Sequence, residues 1–241
     1  MGAQKRTATG KALGNFDEYA KDYRRVHNES LAITGADSDF FSEQKVRVVR
    51  GIEADKDGSL LDLGCGDGNS ARFFRQHFPD WKYAGVDTSD HSIEIAKARA
   101  VEGAEFVHFD GDKIPHADDS FNVVFAACVF HHIDPSAHAD VLGEIRRVLR
   151  PGGRFYLFEH NPLNPLTRRA VNTCPFDEDA ILLRAGYTRK MLRASRFQEI
   201  EIGYTVFFPN YKIFRGLHAL EPFLKWLPAG GQYYARAVVS E

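Results

Sequence analysis

The sequence predicts a doubly wound α/β domain: a mostly parallel sheet of seven strands, the last antiparallel, with helices on both faces. Three observations predict it. Between residues 59 and 159 short apolar runs alternate with amphipathic stretches, each change marked by Gly, Pro, Asp or Ser, which is the pattern of βαβ units. The run NVVFAACV at 122–129 is apolar almost throughout, as a central strand covered on both faces must be. The first run leads through a turn with three glycines into a helical stretch, LLDLGCGDGNSARFF at 60–74, and a helix opened in this way presents free backbone N–H groups to a ligand.

Taken in order, residues 1–15 carry no apolar period and read as a tail, and 16–57 as a helical cap. Within the cap, 16–28 and 39–54 place apolar residues three and four apart, with Asp or Ser near each start. The cofactor-type core spans 58–160. Its strands are predicted at 59–64, 83–88, 104–109, 122–129 and 154–159, and its helices at 69–78, 92–101 and 137–149. Pro151-Gly152-Gly153 is expected to stop the last helix, since proline cannot continue it and glycine accepts a left-handed cap. Beyond Pro162 the alternation is lost. Residues 161–180 hold three of the ten prolines and read as a long ordered connection. A helix around 188–195, a β-like stretch at 197–208, an aromatic helical segment at 210–227 and a strand at 232–240 complete a single domain over 16–241.

Composition narrows the function. With 241 residues, 44% hydrophobic and 27% charged, the chain suits one globular domain. A net charge of -2 gives no electrostatic footprint for nucleic acid. Residues 161–241 hold 11 Lys+Arg against 7 Asp+Glu, so this segment is basic and the remainder, with 20 against 26, acidic. Three cysteines, Cys65, Cys128 and Cys174, show no C-x-x-C spacing, so neither a disulfide framework nor a zinc site is expected. There is no signal-peptide pattern and no membrane-length apolar run, so the cytoplasm is the expected address.

Gly64, Gly66 and Gly68 allow a bare backbone to approach a ligand. Asp87, 23 residues beyond Gly64 at the end of the second predicted strand, can accept both hydrogen bonds of a ribose diol. A nucleoside-containing ligand follows. A dinucleotide is disfavoured, because the third glycine of G-x-G-x-x-G is replaced by Asn69, and because Asp62 and Asp67 beside the turn would repel a pyrophosphate and suit a cation.

The stretch LLDLGCGDG, followed by an acidic residue after the next strand, resembles motif I and its successor in the class I S-adenosylmethionine-dependent methyltransferases, whose fold is Rossmann-like. VHFDGDKIPHADDSFNVV is similar to that family's GDAxxLPFxDxSFDVV, with Asn122, His116 and Ala117 departing from it; ACVFHHI and EIRRVLRPGGRFYLFE look like its fourth and fifth strand motifs, and FDEYAKDY like its amino-terminal helix. The resemblance implies S-adenosylmethionine as cofactor. It implies that Gly64, Cys65, Gly66 and Gly68 line the methionine and ribose part, that Asp62 and Asp67 lie near the amino and sulfonium end, and that Asp87, with Thr88 beside it, holds the ribose. It also implies that Asp110 and Gly111 meet the adenine and that Cys128 lies beside the cofactor.

The reaction so implied is methyl transfer to a small molecule. Oxygen is preferred slightly to nitrogen or carbon as the acceptor atom, and the alternatives are a non-catalytic sensor and an NAD-dependent oxidoreductase. Metal is not required by this chemistry, and no ligand cluster is visible in the sequence. Candidate bases stand at the strand ends: His131 and His132, which on an extended backbone would point opposite ways, and Glu159 with His160. Tyr19 and Tyr23 are placed to shield the cofactor, Arg168 and Arg169 to meet an anionic group. The aromatic content of 207–227 suggests a lid, a dimer face or a lipid-linked acceptor.

Overall fold

The structure, a computed structural model, describes residues 35–240. The tail at 1–15 and the helix predicted at 16–28, with Tyr19 and Tyr23, lie outside the described residues.

The elements follow in the order α1 (Ser38–Ile52), β1 (Gly58–Leu63), α2 (Asn69–His77), β2 (Trp81–Asp87), α3 (Asp90–Ala98), β3 (Ala104–His108), β4 (Phe121–Ala127), α4 (His138–Val148), β5 (Leu149–His160), α5 (Pro165–Thr173), α6 (Ala185–Ala194), β6 (Phe197–Thr205), α7 (Glu221–Leu224) and β7 (Gln232–Val239). The sheet order is β3-β2-β1-β4-β5-β7-β6. β1 to β5 pair in parallel, and β7 runs antiparallel between β5 and β6. The predicted fold class is the observed one.

Period-two alternation divides the core. Leu61, Leu63, Val124, Ala126, Phe155 and Leu157 face one side, where Leu142, Ile145 and Val148 of α4 and Leu192 of α6 cover them. Leu60, Val123, Phe125, Tyr156 and Phe158 face the other, under Val46 and Val49 of α1, Phe73 and Phe74 of α2, and Ile93 of α3. Phe125 is fully buried and meets Phe74 edge-on at 5.1 Å between ring centroids, the arrangement aromatic quadrupoles favour. Helix starts are fixed by side-chain caps: Asp37 accepts from Phe40 N at 2.9 Å, Ser89 from Ser92 N at 3.1 Å and Asn164 from Thr167 N at 3.0 Å.

Three local expectations change. α4 ends at Val148, because Leu149 is already extended and pairs with Phe121 of β4; the turn at Gly152, φ +72°, lies inside β5. The connection at 161–180 contains a helix, α5, in which Asn164 caps and Pro165 takes the first-turn position, where its missing N–H costs nothing. The aromatic segment at 210–227 is mainly 3-10, at Lys212–Leu220, followed by the single turn of α7.

Candidate active site

Sheet order reverses between β1 and β4, so the crevice beyond their carboxyl ends is where an open α/β sheet receives a ligand. The glycine turn stands at this edge, with φ of +73°, +52° and +74° at Gly64, Gly66 and Gly68. The glycines are required for two different reasons. A Cβ on Gly64 would lie 2.5 Å from Val129 Cγ2, and one on Gly68 2.9 Å from Ala96 Cβ, so both are packing necessities. At Gly66 a Cβ would meet nothing within 4 Å; bare backbone borders open space there, which fits a ligand lying against it.

Asp87 fixes the turn. Its Oδ2 accepts from Gly66 N at 2.8 Å and its Oδ1 from Ser89 N at 2.9 Å. Burial raises its carboxyl above the usual range, while these amides pull it back. Thr88 follows directly, and Gly111, φ +91°, lies within ordinary contact of it, a Cβ there standing 3.4 Å from Thr88 Cγ2. Asp110 is exposed, and the Asp112 amide at 3.0 Å lowers its carboxyl. Asp87, Thr88, Asp110 and Gly111 therefore form one edge beside the turn.

Asp62, 2% exposed, accepts from Tyr83 Oη at 2.6 Å. Burial, reinforced by Asp87, lifts its carboxyl to about 7 against the opposing Tyr83 hydrogen bond and the Lys45 ammonium. Cys65 is buried with its side chain turned toward Gly85, so only its backbone can line the crevice. Asp67 differs from expectation. Its carboxylate is bound by Arg99, whose guanidinium also bonds the Asp67 carbonyl; this anchors the loop to the end of α3 instead of offering a free anion.

Past Ala127 the chain breaks from the strand. Cys128 has φ +60° and donates its amide to Phe158 O, and residues Phe130–His132 form a 3-10 turn. The extended backbone expected at His131 and His132 is therefore absent, and the two imidazoles come together, 4.1 Å between centroids. Asp177, from the 3-10 turn Pro175–Asp177, closes on both: its Oδ1 is 3.5 Å from each Nε2. Glu159 is fully buried. Its Oε2 accepts from His131 Nδ1 at 2.6 Å and its Oε1 from Phe130 N at 2.9 Å, so both oxygens are committed inside the protein.

Desolvation opposes charge on His131, but Glu159 and then Asp177 outweigh it and raise the ring. Burial and His131 lower His132. Burial pushes the Cys128 thiol up, but Lys45 and His160 bring it down to about 7. The absence of a ligand cluster inferred from sequence does not hold: among the described residues His131, His132 and Asp177 bring one donor atom each within 4.8 Å of the others. Two residues that the structure brings to this site gave no sequence signal. Asp177 lies in a stretch without periodicity, and Lys45 is one cation of an amphipathic helix, although only 9% exposed.

Fold and turn together define a class I S-adenosylmethionine-dependent methyltransferase domain. Residues 60–153 match the family model described as a methyltransferase domain. It is 33% identical over 153 residues to a demethylmenaquinone methyltransferase of Thermotoga maritima, covering 64% of this chain and 63% of the relative. It is 30% identical over 182 residues to a fatty-acid O-methyltransferase of Mycolicibacterium smegmatis, covering 67% and 65%. Across four curated relatives it spans 42–65% of their length. Among solved structures, a methyltransferase of Thermotoga maritima described as a possible histamine N-methyltransferase superposes with a TM-score of 0.66, at 18% identity over 92% of this chain and 97% of that one.

Proposed function

We propose that the chain transfers a methyl group from S-adenosylmethionine to a small-molecule acceptor, with oxygen as the acceptor atom. The observation that carries this reading is the Asp87 carboxylate, held by the Gly66 and Ser89 amides at the mouth of β2 beside open space at Gly66. Asp87 would hold the ribose hydroxyls with Thr88 beside it, and Asp110 and Gly111 the adenine. Asp62 would face the cationic amino group, with the backbone of Gly64, Cys65, Gly66 and Gly68 beneath the ribose and methionine part; Asp67 would act through its anchor to Arg99. Cys128 would border the sulfur.

The cofactor supplies an electrophilic methyl on a sulfonium. The protein therefore has to align the acceptor, exclude water and accept a proton; alignment contributes most. A hydroxyl acceptor must lose its proton, and the histidine pair in the turn after β4 stands on that edge. His132 is the more exposed member, its side chain 20% accessible against 1% for His131. His131 would act behind it, oriented by Glu159.

An apolar acceptor is supported by the exposed Leu163, Leu166, Phe223 and Trp226 and by relatives named for a quinone and a fatty acid. Arg168 and Arg169 are exposed on α5 and would suit an anionic end of the same molecule. A cytoplasmic address remains part of the proposal; among the described residues no helix is long and apolar enough to cross a membrane.

Calorimetry with S-adenosylmethionine, S-adenosylhomocysteine and NAD, followed by turnover against fatty acids, quinols and phenols read by mass spectrometry, tests this reading. Binding of the first two with O-methylated product is expected. Binding of NAD in their place, or cofactor binding without product across the panel, would sink it.

A further inference from the structure

We propose that His131, His132 and Asp177 bind one divalent transition-metal ion of the zinc class at the acceptor side of the crevice. His131 Nδ1 sits 2.6 Å from Glu159 Oε2. A carboxylate only accepts, so that nitrogen carries the proton, and Nε2 is the atom left to bind an ion, which would displace the second proton of the ring. That Nε2, on a ring 1% exposed, makes no hydrogen bond. It faces Asp177 Oδ1 at 3.5 Å, and His132 Nε2 faces the same oxygen at 3.5 Å.

Two ring nitrogens from neighbouring residues converge on one carboxylate oxygen, a donor set that a cation placed between them would satisfy. The separations exceed a hydrogen bond of about 2.7–3.2 Å. They match donors around a tetrahedral ion, which stand about 3.3 Å apart when metal bonds are about 2.0–2.1 Å. All three donor atoms lie within 4.8 Å.

The surroundings are built for this arrangement. Glu159, pinned by Phe130 N at 2.9 Å, orients His131 from behind, the carboxylate–histidine–metal relation found around bound ions. Ile181 N donates to His131 O at 2.8 Å, and the Asp177 turn is closed by Asp177 N to Cys174 O at 3.1 Å and Ala180 N to Asp177 O at 3.0 Å. Two imidazoles and one carboxylate select zinc, iron(II) or their neighbours over magnesium or calcium. Three protein donors leave a coordination position open, as in catalytic sites. That position would take the acceptor oxygen and acidify its hydroxyl, so that the proton passes to solvent water in place of a histidine base; this last step alone rests on the methyltransferase reading.

The test uses the full chain, stripped with chelator, loaded with Zn2+ and desalted. Metal content is read by mass spectrometry and affinity by competition with a chromophoric chelator. One zinc per chain is expected, with affinity about a hundredfold weaker in Asp177→Asn and His132→Gln and about tenfold weaker in Glu159→Gln. S-adenosylhomocysteine affinity, read by calorimetry, is expected to be unchanged in Asp177→Asn. Substoichiometric metal in the wild type after loading with Zn2+, Fe2+ or Mn2+, or wild-type affinity in the variants, overturns the proposal. Should the variants fold poorly, the cobalt-loaded wild type decides: intense visible absorption of a tetrahedral site supports the proposal and its absence overturns it. Wild-type chain that holds zinc but not S-adenosylhomocysteine would sink the methyltransferase reading and leave the metal site standing.

Discussion

Replacing Asp87 by alanine removes a carboxylate with two separable duties. Inside the protein it accepts the amides of Gly66, at 2.8 Å, and Ser89, at 2.9 Å; leaving both without a partner costs about 1–3 kcal/mol each where water cannot replace it. Toward the ligand it offers a charged acceptor to the ribose hydroxyls, and one such bond is worth about 1.5–3 kcal/mol, or roughly a ten- to 150-fold loss in affinity. Asp87→Asn keeps one oxygen and should fall between. Calorimetric titration with S-adenosylhomocysteine, paired with urea unfolding, separates the two duties. A folded Asp87→Ala protein that binds within twofold of wild type would refute the ribose assignment and the reasoning from the strand-end carboxylate.

Gly66→Ala should cost only the left-handed backbone penalty of about 1–2 kcal/mol, yet abolish S-adenosylhomocysteine binding, since its Cβ would enter the open space of the crevice; Gly64→Ala should instead lower the urea midpoint through Val129, and wild-type binding by Gly66→Ala would contradict the cradle. Asp62, lifted to about 7 from 3.8, contributes stability that is full below pH 3.8 and lost as pH rises to about 7; urea titrations should show this loss in the wild type and not in Asp62→Asn. S-adenosylmethionine affinity should rise over the same approach to neutrality as the carboxylate ionises, and a flat wild-type profile would remove Asp62 from the amino-group site. Phe125→Ala, a fully buried ring against Phe74 and Phe158, should destabilise by about 3–5 kcal/mol without altering bound-state stoichiometry; an unchanged urea midpoint would contradict the packing described.

The glycine turn and the strand-end carboxylate were legible because each is a local feature. Gly64, Gly66, Gly68 and Asp87 sit at strand ends that periodicity locates, and the left-handed φ of the turn has glycine as its visible mark. The histidine and aspartate cluster was hidden because it is assembled from distant pieces. Asp177 reaches His131 and His132 through tertiary contact alone, in a stretch where three prolines masked the Asn164-capped α5. The apolar run at 122–129 concealed the end of β4, since the positive φ of Cys128 turns the chain without a glycine to announce it. Asp67 read as a ligand carboxylate because the sequence could not show Arg99 arriving from α3.

Co-crystallisation with S-adenosylhomocysteine tests the central claim most directly. The ribose hydroxyls are predicted on the Asp87 carboxylate, the adenine beside Asp110 and Gly111, and the sulfur facing the end of β4 near His132. A ligand bound elsewhere, or in this crevice with its ribose away from Asp87, would contradict the account.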